Sequence, residues 1–240
     1  MGLLTVEGVS RLALAAALLL SAGCASGPPP APPAPVRFAA IAAPLLGPPE
    51  SSDALYQVVD ALSLQTDLEL VLVVGPLYGA GKAQIETTRA ELLGALGSLA
   101  CPVHVALGPL DLERDPELLE QLDLALPQRP AELAYRAHAP GIELEVLGPG
   151  GEAPEDAAEG GEPGDRALVL GGPPEADAGG LRVTHGPTLT LTSAQLEVPA
   201  LGSGEPLYVL GTFDRERGRV RVRLRAGEED RGEALEAAWD

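Results

Sequence analysis

The segment VRFAAIAAPLLGPPESSDALYQVVDALSLQTDLELVLVVGP, residues 36–76, decides the fold. Phe38 to Ala43 and Leu68 to Gly75 are short apolar runs bounded by turn-forming Pro and Gly, as expected of strands buried on both faces. Between them, Ser52 to Leu64 places Leu55, Val58, Val59 and Leu62 at helical spacing, with Ser51 or Ser52 as its cap. Strand, helix and strand in this order require a crossover, which is right-handed and lays the two strands parallel.

The same grammar continues toward the C-terminus. Ala83 to Leu99 is amphipathic, carrying Ile85, Leu92, Leu93, Leu96 and Leu99, and Pro102 to Leu107 follows as a third parallel strand. Asp115-Pro116-Glu117 opens another helix, with Pro116 suited to a first turn and the acids to its positive end, and Leu118, Leu119, Leu122 and Leu126 form its buried face. Beyond Pro140 the pattern changes to strands with short turns: 142–147, 167–171, 181–183, 189–191, 207–212 and 220–224. A parallel β-α half followed by a β-rich half predicts an α/β layered sandwich, two mixed β-sheets flanked by helices, over residues 36–228. No internal repeat is visible, and residues 229–240 read as an acidic tail.

Outward from this domain, Arg11 precedes the apolar run Leu12 to Leu20, and Leu20-Ser21-Ala22-Gly23-Cys24 closes it with small residues before a cysteine. The run is well short of the roughly 20 apolar residues of a spanning helix, so residues 1–23 read as a signal peptide. The segment resembles a bacterial lipoprotein signal, which implies lipid attachment at Cys24 and a bacterial cell-envelope location, with membrane lipid as one partner and an unidentified envelope protein as another. Residues 24–35 then form a Pro-rich tether with polyproline II character. Cys101 is the only other cysteine, so the mature domain has no internal disulfide; in Leu99-Ala100-Cys101-Pro102-Val103 it reads as a small apolar residue at a strand start.

Composition narrows the function. The chain of 240 residues is 45% hydrophobic but only 3% aromatic, which predicts one domain with a core of Leu, Val and Ala. A net charge of -19 argues against general nucleic-acid binding, because phosphate contacts need a basic surface. Much of that charge falls in residues 151–165, a Gly/Glu/Pro/Ala stretch read as an acidic mobile loop.

The strand ends carry the functional argument. They read Ala43-Pro44-Leu45, Gly75-Pro76-Leu77-Tyr78-Gly79, Gly108-Pro109-Leu110-Asp111 and Gly171-Gly172-Pro173-Pro174. In element order and loop spacing, 36–225 resembles the calcineurin-like metallophosphoesterase family. In that family these strands end in Asp-x-His, Gly-Asp-x-x-Asp, Gly-Asn-His-Asp or Gly-Asn-Cys-Asp, and Gly-His-x-His. The resemblance implies that Ala43, Leu45, Pro76, Gly79, Pro109, Leu110, Gly172 and Pro174 stand at positions of metal ligands and the acid/base histidine. Asp111 alone keeps the family residue, a supporting one. An alternative for the last motif is Gly211-Thr212-Phe213-Asp214. The implied protein is a metallophosphoesterase-like pseudoenzyme without metal or other cofactor, a binding or scaffold module; a divergent hydrolase with a relocated site is the alternative.

Side-chain chemistry reaches the same expectation independently, since two divalent ions need several carboxylate, His or Asn ligands converging on one point. The three histidines show no paired spacing: His104 lies in a strand pattern, His138 in a polar loop and His185 in a turn. A divergent site would draw on His185 with Asp111 or Asp214. Residues 75–82, GPLYGAGK, fail as a phosphate loop because Pro76 lacks an N–H and Ala83 replaces the magnesium-binding hydroxyl. Gly-x-Ser-x-Gly is absent. Arg215 to Arg225 at every second position, including Arg219, Arg221 and Arg223, put guanidinium groups on one strand face. That face is a candidate anion-binding surface or a solvated face of an edge strand protected by charge.

Overall fold

The computed structural model describes residues 34–79, 84–126, 132–139, 142–149, 167–171, 181–201, 204–214 and 216–238. The expected signal peptide, Cys24, most of the tether, the acidic loop 151–165, and Gly172 and Pro174 lie outside them.

Two mixed sheets, six strands each among the described residues, pack face to face with helices on the outer side of the first. The first sheet has the order β12-β11-β10-β1-β2-β3, where β1 is Val36–Ala42, β2 Leu70–Val74, β3 Val103–Ala106, β10 Leu207–Asp214, β11 Arg219–Ala226 and β12 Glu229–Ala238. β1, β2 and β3 are parallel, as the β-α-β pattern requires, whereas β10, β11 and β12 join antiparallel beyond β1. The second sheet has the order β4-β5-β6-β7-β9-β8, with β4 Tyr135–Ala139, β5 Ile142–Val146, β6 Ala167–Leu170, β7 Leu181–Gly186, β8 Thr190–Leu191 and β9 Gln195–Pro199.

Strand alternation divides the apolar residues between two cores. Phe38, Ala40, Ala42, Leu70, Leu72 and Val74 face the second sheet, where they meet Leu144, Val146, Leu168 and Val183. Phe38 stacks on Phe213 with ring centroids 4.2 Å apart. Ala39, Ile41, Val71 and Val73 face the helices: α1 (Pro49–Ser63), α2 (Ile85–Gly97), the single turn α3 (Asp111–Arg114) and α4 (Leu118–Ala125). The continuous apolar runs of β1 and β2 are therefore explained by burial on both sides.

Three expectations change. Ser51 and Ser52 do not cap α1, which begins at Pro49 after an extended Pro48; Pro supplies the fixed φ of a first turn, and Ser52 Oγ instead donates to Glu91 Oε2 at 2.7 Å. His138 lies in β4, not in a loop, and is exposed. Residues 229–238 are the edge strand β12, not a tail. Their acids stand opposite the β11 arginines, with Arg221↔Glu236 and Arg225↔Asp230 in register, and this cross-strand charge pairing holds a segment of poor strand propensity in the sheet.

Candidate functional site

The C-terminal ends of β1, β2 and β3 form one rim of the sandwich. The loops leaving them run together as a short parallel pair, with Leu46 N–H donating to Leu77 O at 2.7 Å and Gly79 N–H to Leu46 O at 2.9 Å. Ala43 N–H donates to Val74 O at 2.7 Å, extending β1 past its last residue. Ala43 and Leu45 adopt φ values of 42° and 50°, a left-handed conformation that costs an L-residue about 1–2 kcal/mol and persists only where surrounding contacts impose it.

Asp111 is the constraint that gathers this rim. It is fully buried. Its Oδ1 accepts Leu77 N–H at 2.8 Å and Tyr78 N–H at 3.3 Å, and its Oδ2 accepts Gly108 N–H at 2.7 Å. One carboxylate from α3 thus joins the loops after β2 and β3. Burial pushes its pKa above the ordinary carboxylate value, while the N–H donors of Gly108, Leu77 and Tyr78 and the charge of Arg114 pull it back in part. Gly108 is required at this junction because a Cβ there would lie 2.9 Å from Pro76 Cα. Pro76 follows a cis Gly75-Pro76 peptide.

A second buried acid reinforces the first. Asp115 accepts the Tyr78 hydroxyl at 2.7 Å and pairs with Arg89 of α2 at 2.6 Å, while Arg89 also reaches Glu117 at 2.9 Å. Burial and the Asp115 carboxylate push the Tyr78 phenol far above its ordinary range. Arg114 donates to Gly79 O. These bonds carry no sequence signature of a metal site; the only cue to them is the order Asp111, Arg114, Asp115 directly after a Gly-Pro turn.

The second sheet closes on the same rim. Ala200, following β9, forms a bridge with Ala42 at the end of β1. Gly171, at φ 82°, approaches β3 so closely that a Cβ would lie 2.6 Å from Ala106 Cβ. Small residues at Ala42, Ala106 and Gly171 therefore allow the two sheets to meet where a cleft would otherwise remain.

The expected site residues fall as follows. Ala43, Pro76, Gly79 and Asp111 share the rim, and Leu45 is half-buried beside them. Pro109 and Leu110 point outward on the β3 loop, Leu110 being 53% exposed. His104 is buried between the sheets, its Nδ1 3.3 Å from the Tyr135 hydroxyl. His185 is exposed near the end of β7. Asp214 is not a companion for Asp111: the Val36↔Phe213 register places it beyond the start of β1, whose length at about 3.3 Å per residue separates it from the rim by roughly 20 Å. The alternative motif at Gly211-Thr212-Phe213-Asp214 leads to that opposite end as well. Among the described residues, no three His, Cys, Asp or Glu side chains are grouped so as to hold a metal ion.

The arginines of β11 do share one face, because Val220 and Val222 between them enter the inter-sheet core. β11 is an interior strand, however, so the edge-strand explanation of its charges does not hold; β12 takes the edge. Arg219 pairs with Glu236 at 2.6 Å, Arg223 pairs with Asp230, and Arg225 Nε lies 3.0 Å from Asp230.

No family model and no curated protein matches the sequence. Several solved chains are similar, two of them as follows. The purple acid phosphatase PPD1 from yellow lupin (Lupinus luteus) seeds superposes with a TM-score of 0.57 at 11% identity, covering 86% of this chain and 54% of that one. Vacuolar Protein Sorting 29 from Cryptosporidium parvum gives a TM-score of 0.42 at 12% identity, covering 85% of this chain and 98% of that one. The chain thus spans about half the length of the plant phosphatase. Two six-stranded mixed sheets with flanking helices, together with the superposition on the plant phosphatase, place the domain in the metallophosphoesterase-like α/β sandwich fold.

Proposed function

We propose that this chain is a lipid-anchored envelope protein whose sandwich domain has lost the metal centre of its fold and serves as a non-catalytic binding or scaffold module. The observation that carries the reading is the state of Asp111. The one acid retained at the rim is buried, and its oxygens accept three backbone N–H groups. A carboxylate so engaged has little capacity left for a cation, and its neighbours at the ligand positions are Ala43, Leu45, Pro76 and Pro109, which offer no side-chain donor. Anchoring is supported by the small residues preceding Cys24 and the Pro-rich spacer after it.

Two measurements test this. The purified protein is analysed for manganese, iron and zinc and assayed on bis-p-nitrophenyl phosphate with added manganese. The expected result is neither stoichiometric metal nor turnover, and finding both would overturn the non-catalytic reading. Membrane fractionation of Cys24→Ser tests the anchor, with release into the soluble fraction expected.

A further inference from the structure

The first sheet is wider than the helical layer that covers it. α1 packs over β1, β2 and the near side of β10, while β11 and β12 extend past its flank. A groove lies in the resulting corner, with a cavity of about 240 Å³ whose polar lining is Arg37, Gln65, Thr212, Arg221, Arg223 and Arg225, together with one acid, Asp230. Adjoining it through Gln65 and Arg225 is a cavity of about 260 Å³ that also takes in Ala61, Leu64, Tyr208 and the acid Glu228. Four guanidinium groups against one carboxylate make this lining cationic on a chain of net charge -19.

The ion pairs around the groove leave donor capacity unspent. Asp230 is shared by Arg223 and Arg225, and the buried Arg225 Nε has no aligned acceptor. Arg37 pairs with Asp67, and its backbone N–H donates to Glu69. Glu236, opposite Arg221 in register, is bonded to Arg219 instead, and Arg221 forms no ion pair among the described residues. We propose that this groove binds a phosphoryl group, with Arg221 and Arg223 holding its oxygens, Arg37 adding charge, and Thr212 and Gln65 contributing neutral hydrogen bonds. A tetrahedral anion with several acceptor oxygens can engage guanidinium groups from separate strands, whereas one arginine fork already satisfies a planar carboxylate. The cavity is below the roughly 300–1,000 Å³ of a drug-sized ligand site, which suits a single head group. The exposed Leu64 beside the adjoining cavity favours an apolar extension on the ligand.

The site lies on the helix-covered side of the sheet, away from the rim, and is independent of the anchor and of metal loss. Its source is a soluble phosphate ester or a lipid head group, and two titrations of the full chain distinguish them. Calorimetry with inorganic phosphate is paired with co-sedimentation on vesicles of phosphatidylglycerol against phosphatidylcholine, at low and high salt. Arg221→Ser, which breaks no ion pair, is the variant. Arg217→Ser, exposed and outside the lining, is the control. Wild type and variants carry the same first 33 residues, so any vesicle affinity of that segment cancels. Expected is phosphate binding weakened about tenfold by R221S and unchanged by R217S. Loss of both phosphate and phosphatidylglycerol binding in R221S assigns a lipid head group; loss of phosphate binding alone assigns a soluble ester. Absence of phosphate binding at millimolar concentration, or equal weakening by both substitutions, would overturn the proposal.

Discussion

Removing the Asp111 carboxylate should loosen two loops at once. Asp111→Ala deprives Leu77, Tyr78 and Gly108 of the acceptor for their N–H groups, all three at buried positions. A hydrogen bond to a charged group contributes about 1.5–3 kcal/mol, and the bonds at 2.8 and 2.7 Å qualify in full while that at 3.3 Å counts for little. Against this stands the desolvation of the carboxylate itself, the same burial that raises its pKa, which the substitution relieves. The net cost is about 3–4 kcal/mol, and for a domain of this size a melting temperature lower by about 10 °C. Asp111→Asn tests the geometry. Its amide oxygen still serves Leu77 and Tyr78, but its NH2 faces the Gly108 N–H donor to donor, for a loss of about 2–3 kcal/mol. Urea denaturation of wild type, D111A and D111N at constant m-value measures both, with hydrogen exchange at Leu77 and Gly108 reporting the loops directly. A loss below 1 kcal/mol for D111A would refute the idea that this residue holds the rim together.

The raised pKa of Asp111 also sets a pH dependence. Because the folded value lies above the ordinary 3.8, the native state binds more protons in the interval between them, so this residue's contribution falls as pH rises through that window and is level above it. The stability difference between wild type and D111N should therefore shrink with rising pH across that interval; a difference independent of pH contradicts the assignment. Tyr78→Phe removes the hydroxyl that Asp115 accepts and should cost about 1–2 kcal/mol, and an alkaline ultraviolet titration should show one fewer late-ionising tyrosine in Y78F than in wild type, the buried Tyr208 being late in both. Gly171→Ala combines a left-handed φ with a Cβ 2.6 Å from Ala106 Cβ, for an expected loss of about 2–4 kcal/mol by denaturation. Truncation after Glu228 removes β12, so amides of β11 should lose hydrogen-exchange protection; unchanged protection would mean that β12 adds nothing to the sheet.

The alternation and helical spacing between Val36 and Leu107 were enough to place β1, α1, β2, α2 and β3 and to make the three strands parallel, because both-face burial and a helical crossover leave direct marks on apolar periodicity. The side chains available at the strand ends were equally readable, since Ala43, Pro76 and Pro109 offer no donor to a cation in any fold. Short-range pattern could not reveal β12, whose acids and alanines have poor strand propensity and are held by arginines on β11. Nor could it show that Asp111 serves three backbone N–H groups, two of them more than thirty residues away, or that Asp214 lies at the far end of the sheet. Local periodicity reports which face of an element is buried. Which elements meet, and therefore whether a charged side chain is a ligand, a staple or part of a groove, depends on register and sheet order, and those are decided only when distant segments pack.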